Sequence, residues 1–572
     1  MKYFEKTFKS LDQGHGFDLT MLSLKENFLN VFDQFKTVMR IKARLNEGIL
    51  DDPDYFKSQA DSIINNYVTE NPFRHIHHII RDDLSNYTSL LTTFIEKFQD
   101  FGNVCITRMS SLQLLNKLFE DLKMAAAQTY ATLVIAYDVL DKFKSHNDAE
   151  IKARRKIRKS YIKEDIISVH HKTIVGFKDY LPQVSRTIYN CDGPGQHQNS
   201  YTPTYQEMQA FKKVFLEKCH SHQEYIGQVD PEQQCESIST VKSCSNPLES
   251  GKVCSVSRSC GKALHCENLS DTTVCLSEPL NSRRYEYYHP SNEIVMKHCD
   301  TTYYLKKKEL EDYKFYGIRP HWVSSMVNTT CNPCQCICAD KDYFINTVPV
   351  FSEVSRNMVI TGAKLELVGD ILSIKLQQGK LLPYGKIDMT SVKWLPIVIN
   401  SSHLLKISWD EMRTIDLTRV ILEPGYAVTG VGFRESTNGK SDKSAMLVVY
   451  SSEIDFREGR INNDNSHIEN IPRRPTVELK ILDPDRPTKA ETNATVELGV
   501  DQFIKFTLSG ADDGGQSTIP FIDTQKVVPS ILTPLSGIGL YYRGQKKFSG
   551  YIGMRLITYD IVPFMLDYLD AI

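Results

Sequence analysis

Residues 359–387 read VITGAKLELVGDILSIKLQQGKLLPYGKI, and residues 428–461 read VTGVGFRESTNGKSDKSAMLVVYSSEIDFREGRI. Both carry Thr-Gly, then alternating apolar residues, a turn and a second apolar strand. They end on Gly-basic-Ile, as Gly385-Lys386-Ile387 and Gly459-Arg460-Ile461. From Thr to Ile the copies differ by six residues, assigned to the turn because STNGKSD is hairpin-tip chemistry. A degenerate third copy is SGIGLYYRGQKKFSGYIGMRLITYDI (536–561). Three strand–turn–strand units predict either threefold closure, as in a β-prism or trefoil, or a sandwich whose hairpins resemble one another. Glycine at 362 and 430 is expected at matching places, where a backbone bends or is closely approached.

The cysteines set the environment. Thirteen of 14 fall between Cys191 and Cys338, a density that predicts a disulfide framework and an oxidising compartment. The candidate bonded set is Cys105, Cys191, Cys219, Cys235, Cys244, Cys254, Cys260, Cys266, Cys275, Cys299, Cys331, Cys334, Cys336 and Cys338. In CNPCQCICAD (331–340) the Cys331–Cys334 spacing also suits a zinc knuckle or a thioredoxin-like pair, but no second CxxC or strand–turn–helix context accompanies it. Cys334, Cys336 and Cys338 alternate with Gln335 and Ile337, so an extended chain turns all three to one face about 6.6 Å apart. Such neighbours pair across to other segments rather than with each other. Sequons at Asn86, Asn268, Asn328, Asn400 and Asn493 agree with a secreted glycoprotein. MKYFEKTFKS lacks the apolar core of a secretory leader, so the reading expects a mature chain.

The chain divides by pattern into a helical bundle (1–190), a disulfide-rich segment (191–345), a β domain with two hairpin repeats (346–475) and a β segment with the third (476–572). The fold class expected is therefore α+β and multidomain. MLSLKENFLNVFDQFKTVMRI (21–41), YTSLLTTFIEKFQDF (87–101) and the stretch from Ser110 to Phe143 have helical apolar spacing, with Ser110 or Ser111 as a cap. QAFKKVFLEKCHSH (209–222) reads as one more helix, and the chain from there to about 300 as stapled loops. The 14 uncharged residues 124–137 are too short to span a bilayer and read as a buried helix.

A formal charge of −2 gives no push toward nucleic acid. IKARRKIRKS (151–160) packs six Lys/Arg, best explained as a solvated helix face. His75, His78 and Asp82 share one helical face and form the strongest metal candidate, yet with His77 pointing elsewhere and no fourth ligand a polar face over Ile76, Ile79 and Ile80 explains them better. His170-His171 is weaker. Asp512 and Asp513 suit a tight turn better than a Ca²⁺ loop. No cofactor, metal site or catalytic residue is assigned, and no G-x-S-x-G occurs.

HWV (321–323), CNPCQCICAD, the paired VITGAKLEL and AVTGVGFRE, IPFIDTQKVVPSILTPLSGIGLYYRG (519–544) and LITYD (556–560) occur in an order that resembles an insect family of secreted proteins catalogued as a domain of unknown function. The resemblance covers about residues 300–572. It implies an arthropod extracellular protein and carries over no ligand or catalytic residue. The expected function is a non-enzymatic secreted glycoprotein binding a protein or glycan partner through its β-rich C-terminal region. The alternative is a structural or effector component of haemolymph, saliva, venom or matrix acting through the helices. A pore-former and a hydrolase rank behind both.

Overall fold

The structure is a computed structural model that describes residues 15–48, 52–69, 71–81, 108–143, 148–178, 181–190 and 204–221, seven short strands between 242 and 323, and 329–570 apart from 438–442, 463–466, 483, 491–494, 498–501 and 546. It is mixed α+β. The chain separates into two compact units, one of residues 1–191 with 529–531 and 558–572, the other of residues 192–528 with 532–557.

The first unit contains helices α1 (His15–Asn46), α2 (Pro53–Thr69), α3 (Pro72–Arg81), α4 (Ser111–Lys142), α5 (Asp148–Lys178) and α6 (Val562–Asp570). The last lies inside 476–572, which alternation alone reads as β. Its Met565 joins the bundle core with Leu115, Leu122 and Ile166. The segment 87–101 lies outside the described residues. Ser110 opens α4 through a capping box: its Oγ accepts from Gln113 N at 3.2 Å, and its own N–H donates to Gln113 Oε1 at 3.1 Å. Burial then follows the apolar period through Leu112, Leu115, Leu118 and Leu122. In α1 the buried stripe is narrower than the pattern suggests, with Leu24, Val31, Val38 and Ile41 inside and Leu22 and Met39 out. Residues 124–137 lie within the unbroken α4, and no described helix is long and apolar enough to cross a membrane.

The basic run 151–160 sits on α5, where Arg155 and Arg158 reach Asp141 at 3.2 and 3.4 Å and Arg154 pairs with Glu150. Much of its charge therefore serves helix packing. Two histidines are core residues. His77 Nδ1 shares a 2.7 Å hydrogen bond with Thr173 Oγ1, and its ring meets those of Phe73 and His170 edge-on. Burial first, then Lys123 and His171, lowers the His170 pKa from 6.5 to about 4. A histidine kept neutral in the fold stabilises fully above its unfolded pKa and loses that contribution as pH falls from 6.5 toward 4. We expect acidification across this window to remove up to about 3 kcal/mol from the helical unit, at about 1.4 kcal/mol per pKa unit. Denaturation of the full chain followed by helical ellipticity should show this slope, and His170→Leu should flatten it. An equal slope in the variant would exclude His170 as its source.

In the second unit, residues 209–222 are not a helix. β1 (Phe211–Ser221) pairs antiparallel along its whole length with β3 (Thr329–Ala339), which pairs on its other side with β2 (Lys262–Asn268). Phe211, Val214 and Phe215 satisfy helical spacing locally, but pairing along the whole segment with a strand more than 100 residues away overrides that local pattern. The middle segment is thus sheet in part, not only stapled loop. Its cysteines supply the hydrophobic face: Cys334, Cys336 and Cys338 are buried with Val214 and Cys266, while Gln335 and Ile337 are half-exposed.

Beyond residue 340 the chain forms β4 (Val350–Phe351), β5 (Met358–Val368), β6 (Ile371–Leu382), β7 (Arg419–Ile421), β8 (Tyr426–Thr437), β9 (Lys443–Asp455), β10 (Ile468–Asn470), β11 (Phe521–Asp523), β12 (Leu535–Gln545) and β13 (Phe548–Thr558). The repeats are the antiparallel pairs β5–β6 and β8–β9 and the neighbours β12–β13, each in a different sheet. Their first strands pack on one another pairwise. Register slips at the same place in both clear copies, between Ile360 and Gly362 and between Val428 and Gly430, so Thr361 and Thr429 are the bulged residues.

The glycine of each Thr/Ser-Gly admits another stretch of chain. Val527 bridges Ala363, Val350 pairs with Val431, and Val420 pairs with Ile538, each one residue past Gly362, Gly430 or Gly537. A Cβ on Gly362 would stand 2.8 Å from Val528 Cγ2, and on Gly430 or Gly537 it would overlap Phe351 or the Val420 carbonyl. Thr/Ser-Gly thus marks where a neighbouring strand crosses each hairpin.

Candidate ligand-binding groove

The third crossing borders a groove. β7 lies along β12, with Arg419 opposite Gly539 and Ile421 opposite Gly537. β10 comes from the sheet of the second repeat, where it pairs with β9. Between the two runs a groove of about 590 Å³ is lined by residues 418–421, residues 469–473 and Arg555.

Three arginines converge on it from unrelated places in the chain. Arg555, on β13, is 1% exposed, and its Nη2 donates to the Leu417 carbonyl at 3.0 Å. Gly539 makes room for it, since a Cβ there would lie 2.9 Å from Arg555 Nε. Burial, reinforced by the charge of Arg419, lowers the Arg555 pKa well below the usual arginine range, to about 9. Arg419 and Arg473 are exposed and form no ion pair among the described residues. The carboxylate in the lining, Glu469, is engaged outward by Arg434 and by Tyr450 Oη at 2.9 Å. The groove is therefore cationic in its interior. Exposed Ile421 and Ile471 add apolar flanks, and no aromatic ring among the described residues lines it.

A second concavity of about 350 Å³, beside β4 and β8, shows the contrast. Its Arg434 is matched by Glu469 and its Glu435 by Lys443 at 3.0 Å. A third, of about 340 Å³, adjoins Cys336 and contains His265, Glu267 and Trp409. His265 and Glu267 there bond each other at 2.8 Å.

The residues singled out from sequence are placed as follows. Cys266 and Cys336 are directly opposed on β2 and β3 and form a disulfide with Cα atoms 4.1 Å apart. Cys334 and Cys338 are also disulfide-bonded. Cys219, Cys254, Cys275 and Cys331 lie in strands, with Cys331 opposite Cys219. Cys105, Cys191, Cys235, Cys244, Cys260 and Cys299 lie outside the described residues, as do Asn86, Asn328 and Asn493. Asn268 ends β2. Asn400 is exposed and caps a short turn, accepting from Ser402 N at 3.1 Å.

His75 and His78 are exposed on α3, Asp82 lies outside the described residues, and no group of three metal-ligating side chains is found among those described. Asp513 is buried and accepts from Ser509 Oγ at 2.6 Å within a turn closed by Gly514 and Gly515, both at positive φ. Asp512 is exposed. None of this flagged the arginines. The available signal was a charged residue at an apolar-phase position of a strand, as Arg555 is in GMRLIT.

No curated protein matches the chain. Residues 102–376 match the family model described as a domain of unknown function, DUF4803, a match that begins upstream of the motif-bearing stretch and overlaps it from about residue 300 to 376.

Proposed function

We propose that the protein is a secreted arthropod glycoprotein, without catalytic activity, that binds a ligand through its β-rich C-terminal region. The arthropod and extracellular parts rest on the motif resemblance, the cysteine density and the sequons, with exposed Asn400 as an accessible acceptor. The β region is read as a prism: three hairpins in three sheets, with their first strands facing one another and a crossing strand at each Thr/Ser-Gly. The observation that carries ligand binding is the groove between β7 and β10, concave, within the size range of small-ligand sites and furnished with convergent donors.

An effector acting through the helices is the second reading. It is favoured by the outer face of α5, where Ile157 and Tyr161 are 71% and 72% exposed, one helical turn apart, among Lys152, Lys156 and Lys163.

One experiment separates the two. The full chain, applied to a glycan array, should bind a defined subset of oligosaccharides. Ile157→Glu should leave that binding intact, and Ile471→Asp should reduce it. Loss of binding in Ile157→Glu alone would move the site to the helical unit. A folded protein that binds no glycan would remove the lectin reading.

A further inference from the structure

The geometry points to the carboxylate- or sulfate-bearing sugar of an acidic saccharide as the ligand of the groove between β7 and β10. This rests on the ligand-binding reading above and adds the chemical class. Three arginines line one concavity, two of them without an ion pair among the described residues, and the neighbouring carboxylate is already held by Arg434 and Tyr450. Guanidinium forks match the planar or tetrahedral oxygens of carboxylate and sulfate, and like charges gathered in one place gain when an anion arrives. The depressed pKa of Arg555 has the same origin: burial and a neighbouring arginine disfavour its charge, and an anion in the groove would favour it again.

The cationic wall is built in. Arg555 projects from a buried strand through a gap that exists because residue 539 has no side chain, and the Leu417 carbonyl fixes one end of its fork. The lining also selects among sugars. Neutral saccharides are commonly gripped on an aromatic face, and none lines the groove among the described residues, whereas Ile421 and Ile471 offer an apolar flank to the C–H face of a ring whose charged substituent lies on the arginines. The concavity beside β4 and β8 shares the hairpin framework, but its charges are already matched, so the cation excess belongs to the third repeat.

The test uses the full-length protein with a heparin-derived sulfated tetrasaccharide, a hyaluronan tetrasaccharide carrying carboxylates alone, and neutral chitotetraose, by calorimetric titration at low and high salt. One or both acidic probes should bind, more weakly as salt rises, and the one preferred distinguishes sulfate from carboxylate. Arg419→Gln and Arg473→Gln, at exposed positions that leave folding unchanged, should each weaken binding about tenfold, as loss of one charge-assisted contact predicts. Arg555→Lys removes the planar fork and should weaken it as well. Equal binding of chitotetraose, unaffected by the arginine changes, would overturn the acidic assignment while leaving ligand binding in place. Duplex DNA binding more tightly than either acidic saccharide through the same arginines would overturn the saccharide class. Failure of all three probes, together with a blank glycan array, would overturn both readings.

Discussion

Replacing Gly459 with alanine should destabilise the β unit by about 3 kcal/mol or more, whereas the same change at Gly369 should cost about 1 kcal/mol. Both residues have left-handed backbones, with φ of +67° and +61°. Their surroundings differ. Nothing lies within 4 Å of a Cβ built on Gly369, while one on Gly459 would overlap the Leu382 carbonyl carbon and the Pro383 nitrogen. Those are backbone atoms, fixed by the end of β6, and cannot rotate aside.

The same contact holds two repeats together. Asn357 Nδ2 donates to the Gly459 carbonyl at 2.8 Å and to the Leu381 carbonyl at 2.9 Å, Ile461 N donates to Asn357 Oδ1 at 2.8 Å, and Tyr384 N donates to the Phe456 carbonyl at 2.7 Å. Gly385, the counterpart of Gly459 in the first copy and also at φ +67°, faces the Phe456 ring so closely that a Cβ would overlap it. Each Gly-basic-Ile thus ends its own hairpin and receives the other. Urea denaturation of the full chain gives both differences, and equal losses in the two variants would mean that backbone strain alone matters and the interlock does not.

That interlock was half legible. Thr-Gly and Gly-basic-Ile are local words, repeated with alternating residues between them, so the sequence shows that two segments share a conformation. It does not show that Gly459 of one copy meets Leu382 of the other, because the contact depends on how sheets pack. The same limit explains β1. Phe211, Val214 and Phe215 fit a helix locally, and only the distant Thr329–Ala339 strand decides otherwise. Helix α4 was legible to its cap because a capping box is a four-residue signal. The groove was not. Arg419, Arg473 and Arg555 lie in three separate segments, each ordinary alone, and converge only because Gly537 and Gly539 let β7 lie against β12. The histidines of α3 were legible in part: a polar face for His75 and His78 was the reading preferred over a metal site with Asp82, and both are exposed, whereas nothing local marked His77 as the ring turned inward to Thr173.

Asp523→Ala should be among the most damaging substitutions in the protein. Its carboxylate and the Arg543 guanidinium are 4% and 2% exposed, with Nη2 and Oδ2 2.9 Å apart. Arg543 also donates to Tyr205 Oη at 2.8 Å and to Tyr541 Oη at 3.1 Å, and its guanidinium lies 5.5 and 5.4 Å from the ring centres of Tyr205 and Tyr551, which stack on each other. Asp523 in turn accepts from Gln525 N at 2.9 Å. A charge desolvated this fully is tolerable because its counter-ion and hydroxyl partners are fixed in place. Without the carboxylate, the phenol hydroxyls and ring faces remain but the opposite charge does not. Removing one member of such a pair costs about 3–5 kcal/mol, most of it the penalty of the stranded charge. Removing both is different, because no buried charge is left. Asp523→Leu with Arg543→Met should therefore recover most of the loss and approach the parent, although Tyr205 and Tyr541 then lose an acceptor-seeking partner at a cost of about 1 kcal/mol each. Thermal denaturation of the parent, the two single variants and the double variant closes the cycle. A double variant as unstable as Asp523→Ala would show that Arg543 is held by its tyrosines and that the ion pair contributes nothing of its own.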